Sequence, residues 1–154
     1  MEIMKSGVYR IVSWPGELVP EARVLTAGED GVTVTAPGAA PERDQQFNVE
    51  VREDGLAAIQ TPARLFPSRS LSYKEAEKGG RVILGPLSDF PTREWRIEPA
   101  PQKPYPAPFF IRVTDSDLML AVSPKLIFPP ELELAPYNFD LQNAWAFLPV
   151  TEDD

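Results

Sequence analysis

The 154-residue sequence contains no cysteine and no histidine. Without histidine there is no Ser-His-Asp or Cys-His relay for nucleophilic catalysis. Without imidazole or thiolate there is no zinc or iron site of the usual kind. The missing cysteines also exclude disulfides, so the core alone must hold the fold. Long apolar runs are missing too: no stretch approaches the ~20 residues that span a bilayer. The opening Met1-Glu2-Ile3-Met4-Lys5-Ser6 has no apolar segment of signal-peptide length, which sets a cytoplasmic location as the expectation. Positive charge is scarce, with 15 Lys and Arg against 23 Asp and Glu, a net charge of −8. An acidic surface repels phosphate backbones and anionic membranes, so neither nucleic acid nor membrane is an expected partner. No cofactor and no metal is expected either, and no nucleophile–base pair can be assembled, so the chain reads as a non-enzyme.

Proline is what the sequence has in excess. Its 18 prolines are more than twice the usual share of ~5%. Proline breaks helix interiors and central strands, which argues against a helical bundle and places these residues in loops and at strand ends. With 43% hydrophobic and 25% charged residues, the composition is that of one globular domain with a real core, spanning 1–154.

The chain repeats itself at intervals near fifty residues. Val32, Val82 and Leu132 form one column, and Val34, Leu84 and Leu134 form another. A proline follows each pair (Pro37, Pro86, Pro136). Next come an aromatic (Phe47, Trp95, Trp145) and, two residues on, an apolar residue (Val49, Ile97, Phe147). Each unit opens with an apolar pair: Tyr9 and Ile11, Ala57 and Ile59, Phe109 and Ile111. Such ordered columns mark internal repeats, here about 7–52, 53–104 and 105–150. Spacing by two puts paired residues on one face of a strand. Strands are therefore predicted at Val8–Val12, Val32–Thr35, Phe47–Val51, Leu56–Gln60, Val82–Leu84, Trp95–Ile97, Phe109–Val113, Leu118–Val122, Leu132–Leu134 and Trp145–Phe147. Two further strands are expected near Arg23–Thr26 and Leu65–Ser72. Three units of four strands imply an all-β chain, a β-trefoil whose matching apolar positions meet around a common axis.

Two connections stand out. Thr61–Gly80 reads as one long loop, with Ser72 and Glu75 at capping-box spacing and Gly79 as a left-handed stop, which predicts one or two helical turns over 72–79. Pro99–Pro108 holds five prolines and reads as a stiff, extended connector.

The turns Gly7-Val8-Tyr9-Arg10-Ile11, Gln45-Gln46-Phe47-Asn48-Val49, Glu94-Trp95-Arg96-Ile97-Glu98-Pro99 and Asn143-Ala144-Trp145-Ala146-Phe147 resemble those of small fungal β-trefoils. The likeness is to the mushroom serine protease inhibitors of the cospin type, over about Gly7 to Val150. It implies tight, reversible occlusion of a protease, serine class favoured, by one exposed loop, with a defensive role, a monomeric state and no cofactor. The family's inhibitory loop joins strands two and three of the first unit, which here reads Thr26-Ala27-Gly28-Glu29-Asp30-Gly31. Glu29 and Asp30 would be repelled by the carboxylate of a trypsin-like specificity pocket. Other candidate loops carry cations. Lys125, in Ser123-Pro124-Lys125-Leu126-Ile127-Phe128-Pro129-Pro130, could enter a basic-preferring pocket, or be a solvated charge while Leu126 and Phe128 fold back on the barrel rim. Arg69 and Arg64 lie in the long loop, read as the second unit's equivalent of Thr26–Gly31, where the alternatives are a substrate mimic and a solubilising insertion.

Related fungal trefoils include lectins, which makes a glycan the alternative partner. The ricin-type signature Gln-x-Trp survives only as Gln45-x-Phe47, Arg93-x-Trp95 and Asn143-x-Trp145. Phe47, Trp95 and Trp145 are expected in the core rather than stacked on sugars. Trp14 stands outside the repeat, in a turn, either as an exposed anchor or as a lid over the barrel end.

Overall fold

A computed structural model describes residues 5–13, 22–28, 31–52, 56–61, 69–85, 94–99, 109–114, 116–123, 130–137 and 143–150. Twelve strands account for most of them: β1 (Gly7–Ser13), β2 (Val24–Gly28), β3 (Gly31–Thr35), β4 (Phe47–Val51), β5 (Leu56–Gln60), β6 (Ser70–Tyr73), β7 (Val82–Gly85), β8 (Trp95–Pro99), β9 (Phe109–Val113), β10 (Leu118–Val122), β11 (Leu132–Pro136) and β12 (Trp145–Pro149). The helical residues among those described are 3-10, at Glu42–Gln45 and at Asn143, and no helix there is long and apolar enough to cross a membrane.

Six strands close on themselves. β1 pairs with β4, β4 with β5, β5 with β8, β8 with β9, β9 with β12, and β12 returns to β1, every pair antiparallel. Closure leaves no free barrel edge to template aggregation. The other strands form three hairpins, β2–β3, β6–β7 and β10–β11, attached to β1, β5 and β9. The return strands β3, β7 and β11 touch one another. The Val34 amide donates to the Pro130 carbonyl at 3.1 Å, the Gly79 amide to Leu134 at 2.7 Å, and the Leu134 amide to Gly80 at 2.8 Å. A six-strand barrel capped by three hairpins is a β-trefoil.

The apolar repeat columns reach the interior, with Ile97 and Phe109 partly buried against it, whereas Pro136 of the proline column is exposed. Val32, Val34, Val82, Leu84, Leu132 and Leu134 are at most 3% exposed and share one core cluster. Phe47, Trp95 and Trp145 are buried in that cluster, as are Ile11, Ile59 and Ile111. One further column was not visible in the sequence. Leu25, Leu71 and Leu120 pair directly across their hairpins with Val34, Leu84 and Leu134, and all three are fully buried. Their intervals are irregular because the connections before β2, β6 and β10 differ in length.

The expectations for Thr61–Gly80 need correcting. β6 divides this segment, so it is not one loop, and the strand expected near Leu65–Ser72 is described only from Ser70. No helical turn forms over 72–79. Ser72 and Tyr73 are taken into β6 opposite Ile83 and Val82, and only bends and a turn follow. A helix this short cannot outweigh its nucleation cost, whereas the hairpin buries both residues. Gly79 does take the left-handed conformation, at φ +81°, where a side chain would be strained. It does so in a turn that reaches β11, not at a helix end.

The units are not identical. Among the described residues, the third unit carries a second, small cluster outside the main core, made of Phe110, Met119 and Ala144 with Tyr137 packed against it. The Phe110 and Tyr137 rings meet edge to face at 5.8 Å.

Candidate binding surface

Of the residues singled out in the sequence, Lys125, Arg64, Glu29, Asp30 and Trp14 lie outside the described residues. Their connections can still be placed. Gly28 pairs with Gly31, so only Glu29 and Asp30 separate β2 from β3. Arg64 and Arg69 belong to the connection from β5 to β6. That makes them equivalent to the segment holding Trp14, between β1 and β2, and not to the Glu29–Asp30 turn. Lys125 lies between β10 and β11, which is the position equivalent to that turn.

Arg69 is half-buried at the foot of β6, and its backbone is held from both sides. Its amide donates to Thr61 Oγ1 at 3.0 Å, and its carbonyl accepts from the Thr61 amide at 2.7 Å. Thr61 itself is 2% exposed. This clamp pins the two ends of the connection that carries Arg64.

Of the decayed Gln-x-Trp pattern, Gln45, Phe47, Trp95 and Trp145 serve the fold, and Arg93 lies outside the described residues. The Trp95 and Trp145 indoles donate to the carbonyls of Leu71 and Leu120, at 3.0 and 3.4 Å. Phe47, the equivalent in the first unit, carries no donor. Gln45 is buried and links three groups: its amide nitrogen donates to Thr35 Oγ1 and the Ala36 carbonyl, and its oxygen accepts from the Gly38 amide. None of these aromatics offers a face to a ligand.

The described surface with concave shape and chemistry lies on the outside of β8 and β9. On β8, Trp95 and Ile97 turn towards the core, so Arg96 and Glu98 turn out. On β9, Ile111 and Val113 turn in and Arg112 turns out. Arg96 stands directly opposite Arg112 in the ladder. Arg112 is a hub. Its Nη1 lies 3.2 Å from both Glu98 carboxylate oxygens, and its Nη2 lies 3.6 Å from Asp117 Oδ1. Its guanidinium carbon sits 3.9 Å from the centre of the Tyr137 ring, a cation–π contact. Partial burial pushes the Tyr137 phenol up, the Glu98 charge adds to this, and Arg112 opposes it, so the hydroxyl stays neutral at physiological pH. Beside this hub Arg96, Arg112, Val113, Ser116 and Asp117 line an open concavity of about 330 Å³. That is at the small end of ligand pockets. Two guanidiniums, a carboxylate and a hydroxyl offer hydrogen-bond donors and acceptors but no nucleophile activated by a base. Among the described residues no group of three or more candidate metal ligands occurs.

No protein-family profile and no curated protein sequence matches the chain. Solved structures do. A Macrolepiota procera ricin B-like lectin in complex with lactose is 12% identical, over 97% of this chain and 100% of its own, at a TM-score of 0.73. The Rhizoctonia solani agglutinin is 12% identical, over 97% and 99%, at 0.70. The designed threefold-symmetric protein ThreeFoil is 16% identical, over 94% and 99%, at 0.68. The likeness is one of fold. The β-trefoil is shared from end to end, and the designed symmetric protein matches the threefold repeat read from the apolar columns. Arg96 and Arg112 were missed in the sequence. The one available signal was the charged outward positions of the alternating Glu94–Glu98 segment; their partner strand, across the proline-rich connector, could not be assigned.

Proposed function

We propose that this β-trefoil is a carbohydrate-binding protein without catalytic activity. The observation that supports it is the end-to-end overlay on a lectin whose structure holds lactose, with neither chain leaving a substantial part unmatched. The concavity on β8 and β9 adds polar donors and acceptors suited to hydroxyl-rich ligands. The core positions of Trp95 and Trp145 mean that a sugar would be held by polar contacts on the outer face rather than by the aromatics of the repeat. A glycan array probed with the folded chain is expected to return at least one reproducible saccharide. An array without a reproducible signal at micromolar protein would retire this reading.

One observation favours a second reading, protease inhibition. The Thr61–Arg69 clamp fixes both ends of the connection bearing Arg64, and a loop fixed at its base loses less entropy on docking. Such an inhibitor would bury about 1,600 Å² in total with its target. Titration against a panel of serine and cysteine proteases is expected to show saturable inhibition. Arg64→Ala should weaken it about thirtyfold or more if that side chain is the anchor, the scale of an interface hot spot. Absence of inhibition across the panel at micromolar protein would exclude the reading.

A further inference from the structure

Among the described residues, Arg96 is the cation of the candidate surface that has no partner. Its neighbours along the outer face of β8 are Glu94 and Glu98, and both are engaged elsewhere. Glu94 accepts from Arg52 Nη1 with both carboxylate oxygens at 2.7 Å, and Glu98 holds Arg112. Among the described residues Arg96 has no carboxylate within ion-pair range. The residue directly across the ladder from it is a second arginine, Arg112. Like charges facing each other across a strand pair destabilise it.

Arg112 also has spare capacity. Its link to Asp117 is long, at 3.6 Å, and the Asp117 side chain is 99% exposed, so this carboxylate is held loosely. Both arginines and the Ser116 hydroxyl line the same concavity. A ligand carboxylate seated there would relieve the Arg96–Arg112 repulsion and accept from the exposed Arg96 guanidinium and from the Arg112 Nη2 that Asp117 holds loosely. Charge-assisted hydrogen bonds of this kind are among the stronger ones available.

We infer that the concavity between β8, β9 and the Ser116–Asp117 turn binds a saccharide through an acidic group, its carboxylate bridging Arg96 and Arg112. This rests on the carbohydrate-binding reading and names its ligand class. The site is shallow and solvated, so the contribution of charge should fall as salt rises.

The test is a set of NMR titrations of the full chain with N-acetylneuraminic acid, its neutral methyl ester, lactose and acetate. The free acid is expected to bind and to shift the Arg96 and Ser116 signals. The methyl ester should bind at least about tenfold more weakly, the scale of one charge-assisted hydrogen bond. Arg96→Gln should lose about tenfold in affinity for the acid at a melting temperature unchanged or slightly raised, since Arg96 is exposed, its removal orphans no partner and it relieves the repulsion with Arg112. Arg96→Lys should retain part of the affinity, and the surface control Lys78→Gln all of it. Equal binding of acid and ester, or an indifferent Arg96→Gln, overturns the inference and leaves carbohydrate binding to the array. Acetate binding as tightly as the acidic sugar overturns the saccharide part. Absence of shifts at Arg96 with every probe overturns the site.

Discussion

Trp95→Ala is expected to destabilise the protein by about 3–5 kcal/mol, the usual cost of removing a large buried aromatic. Three losses combine. The indole is fully buried at the end of the barrel wall formed by β8, so its removal opens a cavity. Its N–H no longer satisfies the Leu71 carbonyl at 3.0 Å. Its edge-to-face contact with Tyr73, at 5.3 Å between centroids and 77° between planes, disappears. Trp95→Phe separates these terms. Phenylalanine already occupies the equivalent place in the first unit, at Phe47, so the position accepts a smaller ring. That variant should cost about 1–3 kcal/mol, mainly from the Leu71 carbonyl left unsatisfied. Urea denaturation followed by circular dichroism measures both, and an unchanged m-value would confirm that the loss is one of stability. Domains carry only about 5–15 kcal/mol of net stability, so the alanine variant should lose a large fraction of it. A loss below about 1 kcal/mol would contradict the assignment of Trp95 to the core.

Leu134→Ala is expected to cost about 2–5 kcal/mol, and its cost should depend on Val34 and Leu84. Leu134 is fully buried, and its backbone closes the cap in both directions, donating to Gly80 and accepting from Gly79. The substitution keeps those backbone bonds and removes only side-chain volume where β3, β7 and β11 meet. A cavity opened by one residue of a converging triad lets the others relax into it. The double variants Leu84→Ala/Leu134→Ala and Val34→Ala/Leu134→Ala should therefore depart from additivity by about 0.5 kcal/mol or more. Strict additivity in both pairs would show that the three positions do not share one packing layer. By contrast, the Arg52–Glu94 pair has side chains 56% and 34% exposed and should contribute less than about 1 kcal/mol despite its short 2.7 Å contact.

The fold class was legible because its signals are local. Apolar residues spaced by two fix which face of a strand is buried, and three copies of the same spacing bring the copies into equivalent environments. The columns of Val34, Leu84, Leu134 and of Phe47, Trp95, Trp145 needed no knowledge of pairing to be read. The column of Leu25, Leu71 and Leu120 did, because connections of unequal length blur its period. The 72–79 segment shows the opposite failure. Its capping pattern is a local preference worth little, and the hairpin burying Ser72 and Tyr73 outweighs it.

An all-β chain of three units, a core of matching columns and the absence of histidine and cysteine chemistry could all be read from the order of residues. Which outward-facing charges stand together depended on how the strands pair. Arg96 and Arg112 come from different repeats, joined through a proline-rich connector, and their meeting depends on the register between β8 and β9. Burial is repeated along a chain and leaves a periodic trace. A surface site is made once, from residues distant in sequence, and leaves none.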